Sequence, residues 1–284
     1  GHFSYQWVCL QGVNPAFQKE KRMNKILEIE KVKFTIEGHS DSVDAIALTP
    51  DGKTVIAGSG DGTIKVWDLE TGEIEFTLEG HSNSVIAIAV TPDGKTVISG
   101  SWDNTIKIWD LETRKEKFTF KGHSGWVKAI AVTPDGKTVI SSSWDSNTIK
   151  TWDLETGQEK FTLLGHSHWV RAIAVTPDGK TAISGSGDNA IKTWDLETGQ
   201  EKLTLSGHSD WVNAVAITLD GKTVISGSDD KTIKTWDLTT GNKVATFTGE
   251  SPILAVASDG LTIVAGEASG TLHFLRLQEN NMIA

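Results

Sequence analysis

The stretch GHSGWVKAIAVTPDGKTVISSSWDSNTIKTWD, residues 122–153, decides how this chain folds. It holds His123, Ser143 and Asp145, the residue types of a hydrolase triad. It also divides into strands and turns. VKAIAV is short, small and apolar. TPDGKT is a turn whose Asp-Gly tolerates positive φ, and TVISSS and TIKTWD are two further strands. Beyond them, LETGQ is a second turn and EKFTL alternates as a half-exposed outer strand. No helical periodicity runs through any of it.

The stretch recurs. Gly-His stands at 38–39, 80–81, 122–123, 165–166 and 207–208, and Trp-Asp at 67–68, 109–110, 152–153, 194–195 and 236–237. The Gly-His series advances by 42, 42, 43 and 42 and the Trp-Asp series by 42, 43, 42 and 42, because the extra residue falls between the two markers of the third unit, where WDSNTIK replaces WDNTIK. A sixth, diverged unit begins at Gly249-Glu250 and ends in FLRL at 274–277. Strand-only units at this period predict blades around an axis rather than a helical solenoid.

These markers at this spacing resemble the WD-repeat family, over residues 32–277, strongly in five units and weakly in the sixth. The near-identity of the units resembles bacterial members. The resemblance implies an all-β propeller of four-stranded antiparallel blades. Residues 1–30 are expected to be an extension or degenerate repeat, 31–277 a single propeller and 278–284 a tail. KVKFTIE (31–37) would supply the outer strand of the last blade, giving six full blades. The alternative is seven, because WVCLQGVNP near the start matches WVKAIAVTP at its Trp, Val, Val and Pro positions.

The resemblance also implies one buried hydrogen-bond chain per blade. It would comprise His39, Ser59, Asp61 and Trp67; His81, Ser101, Asp103 and Trp109; His123, Ser143, Asp145 and Trp152; His166, Ser186, Asp188 and Trp194; and His208, Ser228, Asp230 and Trp236. The chemistry suits such a chain. An indole N–H only donates, a hydroxyl accepts it and donates onward to one imidazole nitrogen, and the other nitrogen donates to the carboxylate. In the sixth unit Glu250, Glu267, Ser269 and Leu275 replace all four together, as a cooperative network requires. Five copies with the serine already engaged argue against a nucleophile, which must face a substrate beside an oxyanion hole. No enzyme is expected.

Other signals are weaker. GKT within TPDGKT lacks the glycine a phosphate-binding loop needs, since Ala47, Ala89, Ala131 and Ala174 occupy that position, and strands rather than helices follow. No cofactor or metal is expected: calcium-loop spacing is absent, and the single cysteine, Cys9, permits no thiolate cluster. A lone cysteine fits a reducing, cytoplasmic compartment. A net charge of −10 repels nucleic acid, and no apolar run is long enough for a membrane span. The chain begins at Gly1, with Met23 as another possible start, so a piece of a longer protein is expected.

The units differ at three positions. Ser42, Ser84, Trp126, Trp169 and Trp211 precede the first strand. Two residues on stand Asp44, Ile86, Lys128, Arg171 and Asn213. Gly60, Trp102, Trp144, Gly187 and Asp229 precede the network aspartate. By resemblance all lie on the top face around the axis, where partners bind. Of the 11 Trp, five belong to the networks and five (Trp102, Trp126, Trp144, Trp169 and Trp211) form a potential aromatic arc with Lys128, Arg171 and Asp229. Either the arc binds a protein segment or peptide, or it packs blade to blade. The expected function is a non-catalytic scaffold or sensor module, a monomeric domain of a longer signalling chain. A structural spacer is the alternative, and a channel enzyme or small-ligand receptor is disfavoured by the apolar first strands AIAL, AIAV and AVAI.

Overall fold

The computed structural model describes residues 38–144 and 147–277. It is an all-β propeller. Among the described residues its blades span 43–78, 85–121, 127–163, 170–206, 212–248 and 253–276, and they are numbered 1 to 6 below. Among the described residues, blades 1 to 5 are four-stranded antiparallel sheets in sequential order, and blade 6 has three strands. The segments expected at 31–37 and beyond 277 lie outside the described residues.

Blade 3 shows how the sequence maps onto the sheet. Val127–Val132 is the inner strand, followed by Thr138–Ser143, Ile149–Asp153 and the outer Glu159–Leu163. Burial follows position. Thr138–Ser143 is buried at every residue, whereas Glu159–Leu163 alternates. The inner strands of successive blades stand side by side in chain order.

Adjacent blades fit through a small residue. A side chain at Gly58 on the second strand of blade 1 would collide with Val85 and Ile88 on the first strand of blade 2. Val85 is fully buried by that fit. The pattern ends at the two flanks of the array. Val43 and Ile46, the counterparts of Val85 and Ile88, are 55% and 45% exposed. Gly266, the counterpart of Gly58 in blade 6, meets only Leu272 and Ala255 of its own blade. Five blade-to-blade interfaces are therefore formed among the described residues, and blades 1 and 6 each keep one apolar flank uncovered by the other.

Each blade has two unlike ends. The TPDGKT turns lie at one, called the bottom here. In blade 4, Thr176 Oγ1 donates to Asp178 Oδ1 (2.5 Å), and Asp178 Oδ1 accepts Lys180 N–H (3.0 Å). Gly179 follows at φ +71°, a left-handed turn that an Asp-Gly pair supplies. The same contacts recur in blades 1, 2, 3 and 5. The loops entering the first strand and leaving the second meet at the opposite end, the top.

Candidate functional site

Blade 4 shows the buried polar chain intact. Trp194 Nε1 donates to Ser184 Oγ (2.8 Å), Ser184 Oγ lies 2.8 Å from His166 Nε2, and His166 Nδ1 lies 2.8 Å from Asp188 Oδ2. With Nδ1 donating to the carboxylate, Nε2 accepts the serine proton, so each group is satisfied. Blade 2 repeats the chain through Trp109, Ser99, His81 and Asp103, and blade 5 through Trp236, Ser226, His208 and Asp230. In blade 3, Trp152, Ser141 and His123 repeat it; Asp145 lies outside the described residues.

The serine is not the one expected from the sequence. The expected serines are Ser59, Ser101, Ser143, Ser186 and Ser228, but in blades 2 to 5 the bonding hydroxyl is two residues earlier, on Ser99, Ser141, Ser184 and Ser226. Register explains this. Trp109 pairs with Val97, and Ser99 follows two residues on, on the same face and within reach of the indole. Ser101 lies beyond the last paired residue, Gly100. Ser101, Ser186 and Ser228 have another task. They donate to the carbonyls of Asn83, His168 and Asp210, and accept the amide N–H of Asp103, Asp188 and Asp230. They thereby tie the two top loops of each blade together. Ser59 likewise accepts Asp61 N–H.

In blade 1, Ala57 occupies the position of the bonding serine. Trp67 Nε1 and His39 Nε2 are consequently buried without partners. The two rings close in on the missing hydroxyl, with centroids 5.4 Å apart against 6.1 Å in blade 2 and 6.0 Å in blades 3, 4 and 5. His39 Nδ1 still meets Asp61, at 3.2 Å.

The aspartates are held ionised. Burial alone would raise their pKa values, but hydrogen bonds from histidine, backbone amides and, where present, threonine outweigh it. Asp61 and Asp103 lie well below the usual carboxylate range, and Asp188 and Asp230 are pushed down to about 2. Thr63, Thr105 and Thr232, not anticipated from the sequence, each donate to the adjacent aspartate. Burial lowers the pKa of His208, partly offset by Asp230.

Blade 6 builds a different centre. Glu267, with a fully buried side chain, accepts from His273 Nε2 (2.8 Å) and Glu250 N–H (2.9 Å), and from the hydroxyls of Ser251 (3.2 Å) and Ser269 (2.9 Å). The His273 bond leads in holding its pKa down to about 2. The joint replacement of the quartet is thus a substitution by another network, in which His273 was not anticipated. Ser99, Ser184 and Ser226 are fully buried and doubly engaged, so no substrate reaches them.

The top carries the tryptophans as one continuous stack. Trp102 of blade 2 lies on Trp126 of blade 3, with centroids 4.4 Å apart. Trp126 meets Trp144 at 5.6 Å within that blade. Trp144 stacks on Trp169 of blade 4 at 5.5 Å, and Trp169 meets Trp211 of blade 5 edge-on at 6.2 Å. Gly187 replaces a sixth tryptophan, and a side chain there would strike His168, whose ring fills the space between Trp169 and Trp211. Trp126 and Trp169 are 39% and 36% exposed, so the stack presents ring surface as well as bridging blades.

Lys128 and Arg171 follow Trp126 and Trp169 by two residues, on adjacent inner strands. Lys128 Nζ lies over Trp144 (5.2 Å) and the Arg171 guanidinium over Trp211 (4.8 Å). Burial, reinforced by the charge of Arg171, pushes Lys128 down to about 8. Asp229 accepts from Asn213 Nδ2 (2.6 Å), which also donates to Ile253 O (3.0 Å). The structure therefore brings the eight expected top residues into one cluster. Among the described residues, no group of three or more His, Cys, Asp or Glu side chains is placed to hold a metal.

Parts of this chain are similar to known proteins. The Notchless protein homolog of Arabidopsis thaliana is 33% identical over 64 residues, 22% of this chain and 14% of that protein. Periodic tryptophan protein 2 of Saccharomyces cerevisiae is 50% identical over 36 residues, 13% of this chain and 4% of that protein. The chain thus matches only a small part of the length of these relatives. The family described as "WD domain, G-beta repeat" matches at residues 30–68, 72–110, 114–153, 157–195 and 199–237, well over half of the sequence. With its recurring quartets and four-stranded blades, the chain belongs to the WD-repeat family.

Proposed function

We propose that this propeller is a non-catalytic interaction platform that takes a protein segment or peptide across the tryptophan arc at its top, as one cytoplasmic module of a longer signalling protein. The observation carrying this reading is the continuous stack of five tryptophans, with Trp126 and Trp169 each more than a third exposed. Trp and Arg are the residues that concentrate binding energy at interfaces, and a contiguous apolar patch is unusual on a surface that makes no contacts. Membership in a family of interaction scaffolds supports it.

A second reading, a structural spacer, draws on the cross-blade contacts Trp102–Trp126 and Trp144–Trp169, which join neighbouring blades. Comparing proteins retained by the wild-type chain and by a Trp126→Ala, Trp169→Ala variant separates the two. The platform predicts loss of specific partners with folding intact. An unchanged set supports the spacer.

A further inference from the structure

We propose that the Lys128–Arg171 pair receives a side-chain carboxylate of the bound segment, whose apolar flanks lie along the tryptophan arc, so the ligand is an acidic peptide. The inference rests on the platform reading above and specifies its ligand.

Lys128, buried, and Arg171, half-buried, stand on adjacent strands and repel each other, and the repulsion is relieved when an anion comes between them. Arg171 lies within 4 Å of no carboxylate among the described residues, and its Nε is buried without a hydrogen-bond partner. Trp144 Nε1, beside Lys128, is a second buried donor without a partner. Two buried N–H donors beside the cations, Arg171 Nε and Trp144 Nε1, thus lack an acceptor among the described residues, which an anionic ligand can supply.

The same geometry argues against a cationic ligand. A methylated lysine or an arginine would seek the faces of tryptophans, but Lys128 already lies over Trp144 and Arg171 over Trp211. It would also meet both of their charges. A carboxylate fits better than a phosphate. Asp44 is close enough to Lys128, and Asp229 to Arg171, to favour the charged form of each. With these two carboxylates offsetting the two cations, a second negative charge on the ligand gains little attraction, whereas the cost of taking an anion out of water rises steeply with its charge.

The test is selection of a displayed random-peptide library, without phosphorylation, on the full chain, followed by affinity measurement with the selected peptides. Enriched peptides should carry Asp or Glu next to aromatic or aliphatic residues. Exchanging that acid for its amide should weaken binding at least about tenfold, and Arg171→Gln should do the same while leaving the circular dichroism spectrum unchanged. The amide exchange needs no altered protein, so a misfolded Arg171→Gln chain would not blunt the test. Peptides that bind through the tryptophans, losing affinity in Trp126→Ala, Trp169→Ala, but lack an acid or carry a basic residue instead would overturn this proposal alone. So would binding that appears only when the library is phosphorylated. Peptides indifferent to the tryptophan variant, or no enrichment at all, would overturn the platform reading with it.

Discussion

The two ends of the blades make opposite use of the same repeat. At the bottom, Thr, Asp and Gly form one hydrogen-bonded turn copied through blades 1 to 5, with the Thr–Asp bond held at 2.5–2.6 Å. At the top, equivalent positions hold Ser, Trp, Gly or Asp, and their side chains form a single cross-blade stack. Under the proposed function, uniformity at one end and divergence at the other, on a common backbone, separate what each blade needs to fold from what the assembly offers to a partner. The buried chain lies between them, and blade 1 shows its limits. The fold persists with Ala57 in place of the serine, two orphaned nitrogens and a shortened ring contact.

The sharpest way to break this comparison is Ser184→Ala, which gives blade 4 the defect of blade 1. Two buried groups, Trp194 Nε1 and His166 Nε2, lose their partners, and a loss of about 3 kcal/mol is expected from their combined desolvation penalties. Urea titration measures it, and top-face binding by the folded protein should be unaffected. The reciprocal change, Ala57→Ser, should satisfy Trp67 and His39 and raise stability by about 1 kcal/mol in the same titration. Asp178→Ala removes a bottom turn's acceptor for Thr176 and Lys180. A cost of about 1 kcal/mol is expected, again with unchanged peptide affinity.

Acid gives the most graded effect. Asp188 and Asp230 titrate near 2 in the folded chain and near about 3.9 in an unfolded one. A depressed carboxylate pKa means that the unfolded state takes up protons first. The stability these groups add is therefore present above about pH 4 and lost as pH falls towards 2. Asp188→Asn should flatten that part of the midpoint-against-pH curve, measured by thermal melting at successive pH values. His208, with its lowered pKa, adds a further decline in the same direction as pH falls below about 6.5.

Much of this was legible in the sequence because a repeat compares itself with its own copies. Period and strand boundaries follow from alignment of the units, and the His, Asp and Trp partners from the resemblance to the WD-repeat family. The arc was legible too, because Trp102, Trp126, Trp144, Trp169 and Trp211 depart from their counterparts. The serine was not. Units 2, 4 and 5 carry Ser-Gly-Ser (99–101, 184–186, 226–228), two hydroxyls on one face of a strand, and only cross-strand register says which one the indole reaches. Ala57 pointed the wrong way: the column that bears the bonding serine in the other strong units holds alanine there, whereas the column of Ser59 is serine in all five. His273 and Glu267 escaped because their unit shares too little with the others to be compared position by position.

The claim that the diverged end is the working end is tested most directly by hydrogen–deuterium exchange of the chain with and without a library-selected peptide. Slowed exchange should be confined to the top loops around residues 124–128, 167–171 and 209–213, with the TPDGKT turns unchanged. Slowed exchange concentrated at those turns, with the tryptophan loops indifferent, would contradict it.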